Sequence, residues 1–189
     1  MNSISNIVIR SMHDVGMAAW FGGSLMGAVG LNGATRTTSG PDNPLAVAAS
    51  GWARWSPVAA GAIGVHVIGG IGLLVANRGR VAGQHGVGAN TAVKTVLTGA
   101  AIASTVYAGV LGAHLATETD SSVEASTVPN SSTPHRVARS QQQLRVLQWA
   151  IPVLTGALIV LGAQQGEQQK PAEIAQGVAT KVLRRARRS

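Results

Sequence analysis

The 189-residue chain is 46% hydrophobic and 12% charged, with 24 glycines, no cysteine and a formal charge of +8. Its apolar residues fall in separated blocks, which points to a membrane protein over a soluble domain of this length. The missing cysteine excludes disulfides, thiolate metal sites, iron–sulfur clusters and cysteine nucleophiles. The charge excess does not imply nucleic acid. Five cations, Lys181, Arg184, Arg185, Arg187 and Arg188, close the chain beside apolar spans with no acid among them, a placement that faces anionic lipid.

Four apolar blocks predict an all-α integral membrane four-helix bundle, residues 1–165, followed by a C-terminal amphipathic helix. The first block, Val15 to Leu31, would rise about 26 Å as a helix, and His13 or Asp14 to Asn32 as interfacial ends make a span over 14–32. The second covers 57–77, with Pro57 at its start, where a missing N–H is harmless, and Arg78 and Arg80 at its end. The third runs over 95–116 and stops before Glu118 and Asp120. The fourth, 146–164, contains Pro152, which would free one carbonyl near its second turn.

Four spans place both termini on one side of a cell membrane, and the basic residues choose the cytoplasm. That arrangement puts Arg10, Arg78, Arg80, Lys94, Lys170 and the five tail cations inside. Arg36, Arg54, Arg136, Arg139 and Arg145 stay outside, partly offset by acids. Trp52, Trp55 and Trp149 would then anchor at the outer interface, whereas Trp20 falls within the first span and is expected to pack against a neighbour or lipid.

The connections differ in kind. Residues 44–56 predict a short helix lying on the outer surface. Residues 117–143, rich in serine and threonine and lacking aromatics, predict a mobile outer loop. Beyond the fourth span, residues 166–189 read as a glutamine-rich linker and a basic amphipathic helix. Ile174, Val178 and Val182 form its narrow apolar stripe.

Glycine spacing supplies the packing signal. Gly16, Gly23 and Gly30 repeat every seven residues and Gly27 completes a Gly-x-x-x-Gly pair, which lets another backbone approach where lipid gives no hydrophobic drive. Gly61 in the second span and Gly109 and Gly112 in the third offer similar close approach.

Chemistry has few candidates. His66 sits near the middle of the second span. It reads either as a neutral imidazole bonded to a hydroxyl or carbonyl of another helix or as a haem, metal, proton or quinone site. Tyr107, near the middle of the third span, is a candidate hydrogen-bond partner for His66 in a cofactor site whose cofactor is unknown. His13, His66 and His114 are the candidate metal ligands, although His114 lies about 10 Å from His66 in depth, a poor fit to opposed haem ligands. Phosphate-loop, H-E-x-x-H and G-x-S-x-G signatures are missing, so a catalytic role is disfavoured.

The segment His13 to Gly30, HDVGMAAWFGGSLMGAVG, resembles the opening helix of small bacterial four-helix membrane proteins of the copper-resistance D type. The resemblance places His13, Trp20, Gly22 and Gly23 on the recognisable positions and implies a metal or respiratory-chain association. The bias to alanine, arginine and glycine over lysine resembles that of high-GC actinobacterial proteins.

The leading expectation is therefore a non-enzymatic structural or accessory membrane subunit that packs through glycine faces against a protein partner or its own copies. The alternatives are a redox or metal-handling protein using His66 and an oligomeric small transporter or channel.

Overall fold

The computed structural model describes the backbone of residues 3–38, 43–83 and 87–186 and the side chains of residues 5–38, 43–78 and 88–164. Described residues are almost wholly helical: α1 (Ser3–Met26), a π turn (Gly27–Leu31), the short α2 (Asn32–Ala34), α3 (Pro44–Gly83), α4 (Val87–Leu115) and α5 (His135–Ala186). Among the described residues three helices are long and apolar enough to cross a membrane, over Pro44–Arg78, Gly88–Leu115 and His135–Gln164. The helix α1 carries Arg10 and Asp14 in its first half, and its apolar stretch runs on into the π turn.

The four long helices pack in a ring, α1 on α3, α3 on α4, α4 on α5 and α5 back on α1. Their central layer is apolar. Met17, Trp20, Ala101, Ile151 and Leu158 are buried there, with Ile63, Leu97, Ile102 and Leu154 against them. On α4 the inward residues Ala101, Ala108, Leu111 and Leu115 are spaced by seven, three and four positions, as one face of a 3.6-residue helix requires.

Helix starts and stops explain most departures from the expected spans. Asn43 caps α3: its Oδ1 accepts the N–H of Leu45 at 2.8 Å, and Pro44 takes the first helical position, where no N–H is missed. No comparable stop lies between residues 44 and 57, so the expected surface helix is simply the first turns of α3, and Pro57 sits inside it. Trp52 and Trp55 consequently lie against α1, their indoles over Gly27 and Gly23, and only Trp149 keeps large exposure. The tail expected as a linker and separate helix is continuous with the last span, because α5 runs unbroken to Ala186. Its side chains beyond Gln164, including Lys181, Arg184, Arg185, Arg187 and Arg188, lie outside the described residues.

The segment expected to be a mobile loop is folded. Ala125, Ser126 and Thr127 are buried, and Ala125 bridges Val128. Thr35, fully buried at the end of the α1 column, donates its hydroxyl to the carbonyl of Asn32 (2.7 Å) and accepts the N–H of Ser126 (3.0 Å). Gln141 Nε2 donates to the carbonyls of Ala125 (2.8 Å) and Ser126 (3.2 Å). Arg136 and Glu118 form an ion pair, and Leu45, Leu115 and Val137 make a second apolar cluster beneath. Polar side chains satisfying backbone groups thus replace the apolar surface that this segment lacks.

Candidate functional site

His66 is 3% exposed on α3, one turn from Ile63 of the central layer, and it meets α1 at His13. Its Nδ1 lies 3.0 Å from the backbone carbonyl oxygen of His13. A carbonyl can only accept, so Nδ1 carries a proton, and Nε2 has a lone pair whenever the ring is neutral. The expected bond from His66 to a carbonyl of another helix is therefore present. The two imidazoles touch, with ring centroids 4.1 Å apart and planes tilted by 42°. His13 Nδ1 turns to the carboxylate of Asp14 at 3.1 Å. Trp20 stands edge-on to His66 at 6.2 Å and donates its indole N–H to Thr105 Oγ1 on α4 at 3.2 Å. Thr105 donates in turn to the carbonyl of Ala101 (2.8 Å), the back-bonding expected of hydroxyls in an apolar helix.

The backbones come this close because glycines remove the obstruction. A Cβ at Gly16 would lie 2.5 Å from the carbonyl oxygen of Ala62 and 2.6 Å from the nitrogen of His66. A Cβ at Gly69 would lie 2.5 Å from the nitrogen of His13. The pattern is reciprocal. His13 and Gly16 are three residues apart on α1, His66 and Gly69 three apart on α3, and each histidine faces the other helix's glycine. Positions three apart share a helix face, so two His-x-x-Gly motifs on antiparallel helices were the signal that could have paired these histidines from sequence. Reading His13 as an interfacial end of a span that began at residue 14 hid the pairing, because α1 starts at Ser3 and carries His13 down alongside His66.

The other expected partners stand elsewhere. Tyr107 is 46% exposed and donates its hydroxyl to Gln143 Oε1 on α5 at 3.0 Å, so it does not pair with His66. It follows the inward Thr105 by two residues, about 200° around the helix, which turns it out of the ring. His114 is half-buried on the last turn of α4, nine residues or about 13 Å beyond Thr105, and does not join His13 and His66. Among the described residues no three histidine, aspartate or glutamate side chains are grouped so as to hold a metal ion. Nor are the two rings placed as opposed axial ligands of one haem: such imidazoles point end-on at an iron lying between them, whereas these rings touch directly, with centroids 4.1 Å apart.

The glycines sort by what covers them. Gly16 meets helix backbone, whereas Gly23 and Gly27 cradle the indoles of Trp55 and Trp52. Gly30 meets only Met26 of its own helix, and Gly61, Gly109 and Gly112 face open space, so their expected packing is not made within one copy. Toward the loop end a polar relay was not anticipated: Trp52 Nε1 donates to Asn32 Oδ1 (3.1 Å) and Asn32 Nδ2 donates to Gln148 Oε1 (2.9 Å), tying α3, α1 and α5 together.

No protein-family model, curated protein or solved structure matches this chain. What is established on its own residues is a small all-helical membrane protein with several apolar helices, in which the buried His66 and the half-buried His13 join α3 to α1.

Proposed function

We propose that the chain is a multi-pass integral membrane four-helix bundle, with both termini cytoplasmic, that serves as a structural or accessory subunit by docking helices of another protein or of its own copies. The observation that carries this reading is the contrast among glycines. Gly16 and Gly69 are filled by a neighbouring backbone, while Gly61 and Gly64 on α3 and Gly99, Gly109 and Gly112 on α4 look onto open space. A helical glycine costs about 0.5–1 kcal/mol relative to alanine, and within a bilayer its return is close helix approach. On these two neighbouring helices that return is collected only when a further helix arrives.

The test is purification in mild detergent followed by mass determination and identification of co-purifying proteins. A complex larger than one copy is expected, and Gly61→Leu and Gly99→Leu should each dissociate it while helicity is retained. Recovery of a lone copy from both the wild type and the variants would refute the reading.

A second reading, a metal or proton site at His66 and His13, draws on the lone pair left at His66 Nε2 and on the resemblance of residues 13–30 to the copper-resistance D type. Metal analysis and visible spectra of purified protein test it: metal bound in stoichiometric amount and lost in His66→Ala would favour this reading over a purely structural one.

A further inference from the structure

At the loop end of the bundle a groove of about 500 Å³ runs between Leu31 and the first turns of α3, lined by Asn43, Ala46, Val47, Ser50 and Arg54. Its floor is closed by Gly51, which rests on the side chain of Leu31: a Cβ there would lie 2.6 Å from Leu31 Cδ2.

The depth of the groove narrows its occupant. Arg54 is nine residues from Ile63 of the central apolar layer, about 13 Å along the helix, close to half of a ~30 Å hydrocarbon core. Its exposed guanidinium therefore reaches the level of lipid phosphates, and the remainder of the groove extends beyond that level, away from the acyl chains. Arg54 is the sole charged residue of the lining, and neither ion pair among the described residues involves it. Above it, Ser50 and Asn43 supply a hydroxyl and an amide, while Leu31 and Val47 supply an apolar wall.

We infer that this groove seats the headgroup of an anionic phospholipid with a polyhydroxyl headgroup, such as a phosphatidylglycerol or a phosphatidylinositol. The phosphate sits on Arg54, a cation with a fork of donors suited to it. The headgroup alcohol rises along Leu31 and Val47, and its first hydroxyl reaches Ser50, one turn above Arg54. A choline headgroup carries no hydroxyl for Ser50 and brings its cation beside Arg54, where the described lining holds no acid. The inference rests on the membrane reading above.

The full chain reconstituted in nanodiscs of mixed phosphatidylcholine, phosphatidylglycerol and phosphatidylinositol, then released for native mass spectrometry, tests both readings separately. A chain that stays water-soluble and never enters the discs would refute the membrane reading itself. For inserted protein, retained phosphatidylglycerol or phosphatidylinositol should exceed phosphatidylcholine by tenfold or more. Arg54→Gln should abolish that excess, and Val47→Trp, which fills the groove and leaves the charge, should remove it as well. Equal retention of all three lipids, or an excess that survives both substitutions, would overturn the proposal. So would an excess removed by millimolar inorganic phosphate, which would make the groove a free-anion site. Asp42 precedes the lining residue Asn43 in sequence. If Asp42→Asn and Arg54→Gln lower thermal stability equally while lipid retention is unchanged, the arginine serves an ion pair, and the proposal also fails.

Discussion

Replacing Gly16 by alanine adds a single methyl where two backbones cross. The new Cβ would stand 2.5 Å from the Ala62 carbonyl and 2.6 Å from the His66 nitrogen. Neither atom can swing away, so α1 must withdraw by roughly 0.9 Å to restore an ordinary contact of about 3.4 Å. That withdrawal stretches the 3.0 Å contact between His66 Nδ1 and the His13 carbonyl to about 3.9 Å, beyond hydrogen-bond range. Overpacking costs about 1–3 kcal/mol and the lost bond about 0.5–1.5 kcal/mol, for an expected destabilisation of about 2–4 kcal/mol. Gly22→Ala is the control on the same helix: nothing lies within 4 Å of its Cβ position, so a change between zero and a gain of about 1 kcal/mol is expected. Unfolding in detergent micelles, followed by circular dichroism and by the fluorescence of the tryptophans, measures both. Equal effects of the two substitutions, in either direction, would refute the close crossing at Gly16 on which the histidine pair depends.

Asn32→Leu strands the Trp52 indole N–H and the Gln148 Oε1 at once, and unfolding midpoints should fall by the equivalent of about 2–4 kcal/mol. Thr35→Val keeps the shape but removes the hydroxyl that accepts the Ser126 N–H, so amide exchange across residues 117–134 should accelerate tenfold or more while α3 and α4 stay protected. Tyr107→Phe breaks only an exposed bond to Gln143 and should shift stability by under about 0.5 kcal/mol; a loss above 2 kcal/mol would restore its pairing with His66. His66→Ala empties a buried site and should cost about 2–4 kcal/mol, whereas His13→Ala, half-buried and bonded to the exposed Asp14, should cost less than half as much in the same unfolding assay.

Apolar block lengths made three long apolar helices legible, and Arg78 and Glu118 stand within a few residues of the ends of α3 and α4, whereas every long helix starts eight to thirteen residues before its expected span. The extent of the helices was not legible. Runs such as 3–14 and 135–145 are too polar for a span, yet they continue the helices of their apolar neighbours because nothing in them forms a stop. The cap over residues 117–134 was missed for a related reason. Low apolar content argues against independent folding, but this segment folds on a surface already provided by α3, α4 and α5, and side chains of Thr35, Gln141 and Asn130 bond backbone groups within it. At the site, the burial of His66 and its bond to a carbonyl followed from the cost of an unpaired polar group in an apolar helix. Its partner did not, because relative depth was measured from the edges of apolar blocks, whereas α1 and α3 are registered by their glycines.

The geometry of the pair also bears on why two imidazoles are present. The crossing sets the backbone of each histidine against the glycine of the opposite helix and leaves the two imidazoles in contact, with 4.1 Å between ring centroids. The two rings touch at a tilt of 42°, and His66 is bound to the backbone of His13. The pair has the properties of a clasp: it fixes the register of α1 on α3 and discourages sliding, since a one-turn shift would unpair His66 and drive Cβ-bearing residues into the crossing. A bundle whose first two long helices are locked in this way holds the open glycines of α3 and α4 in fixed positions, which is what docking a further helix requires.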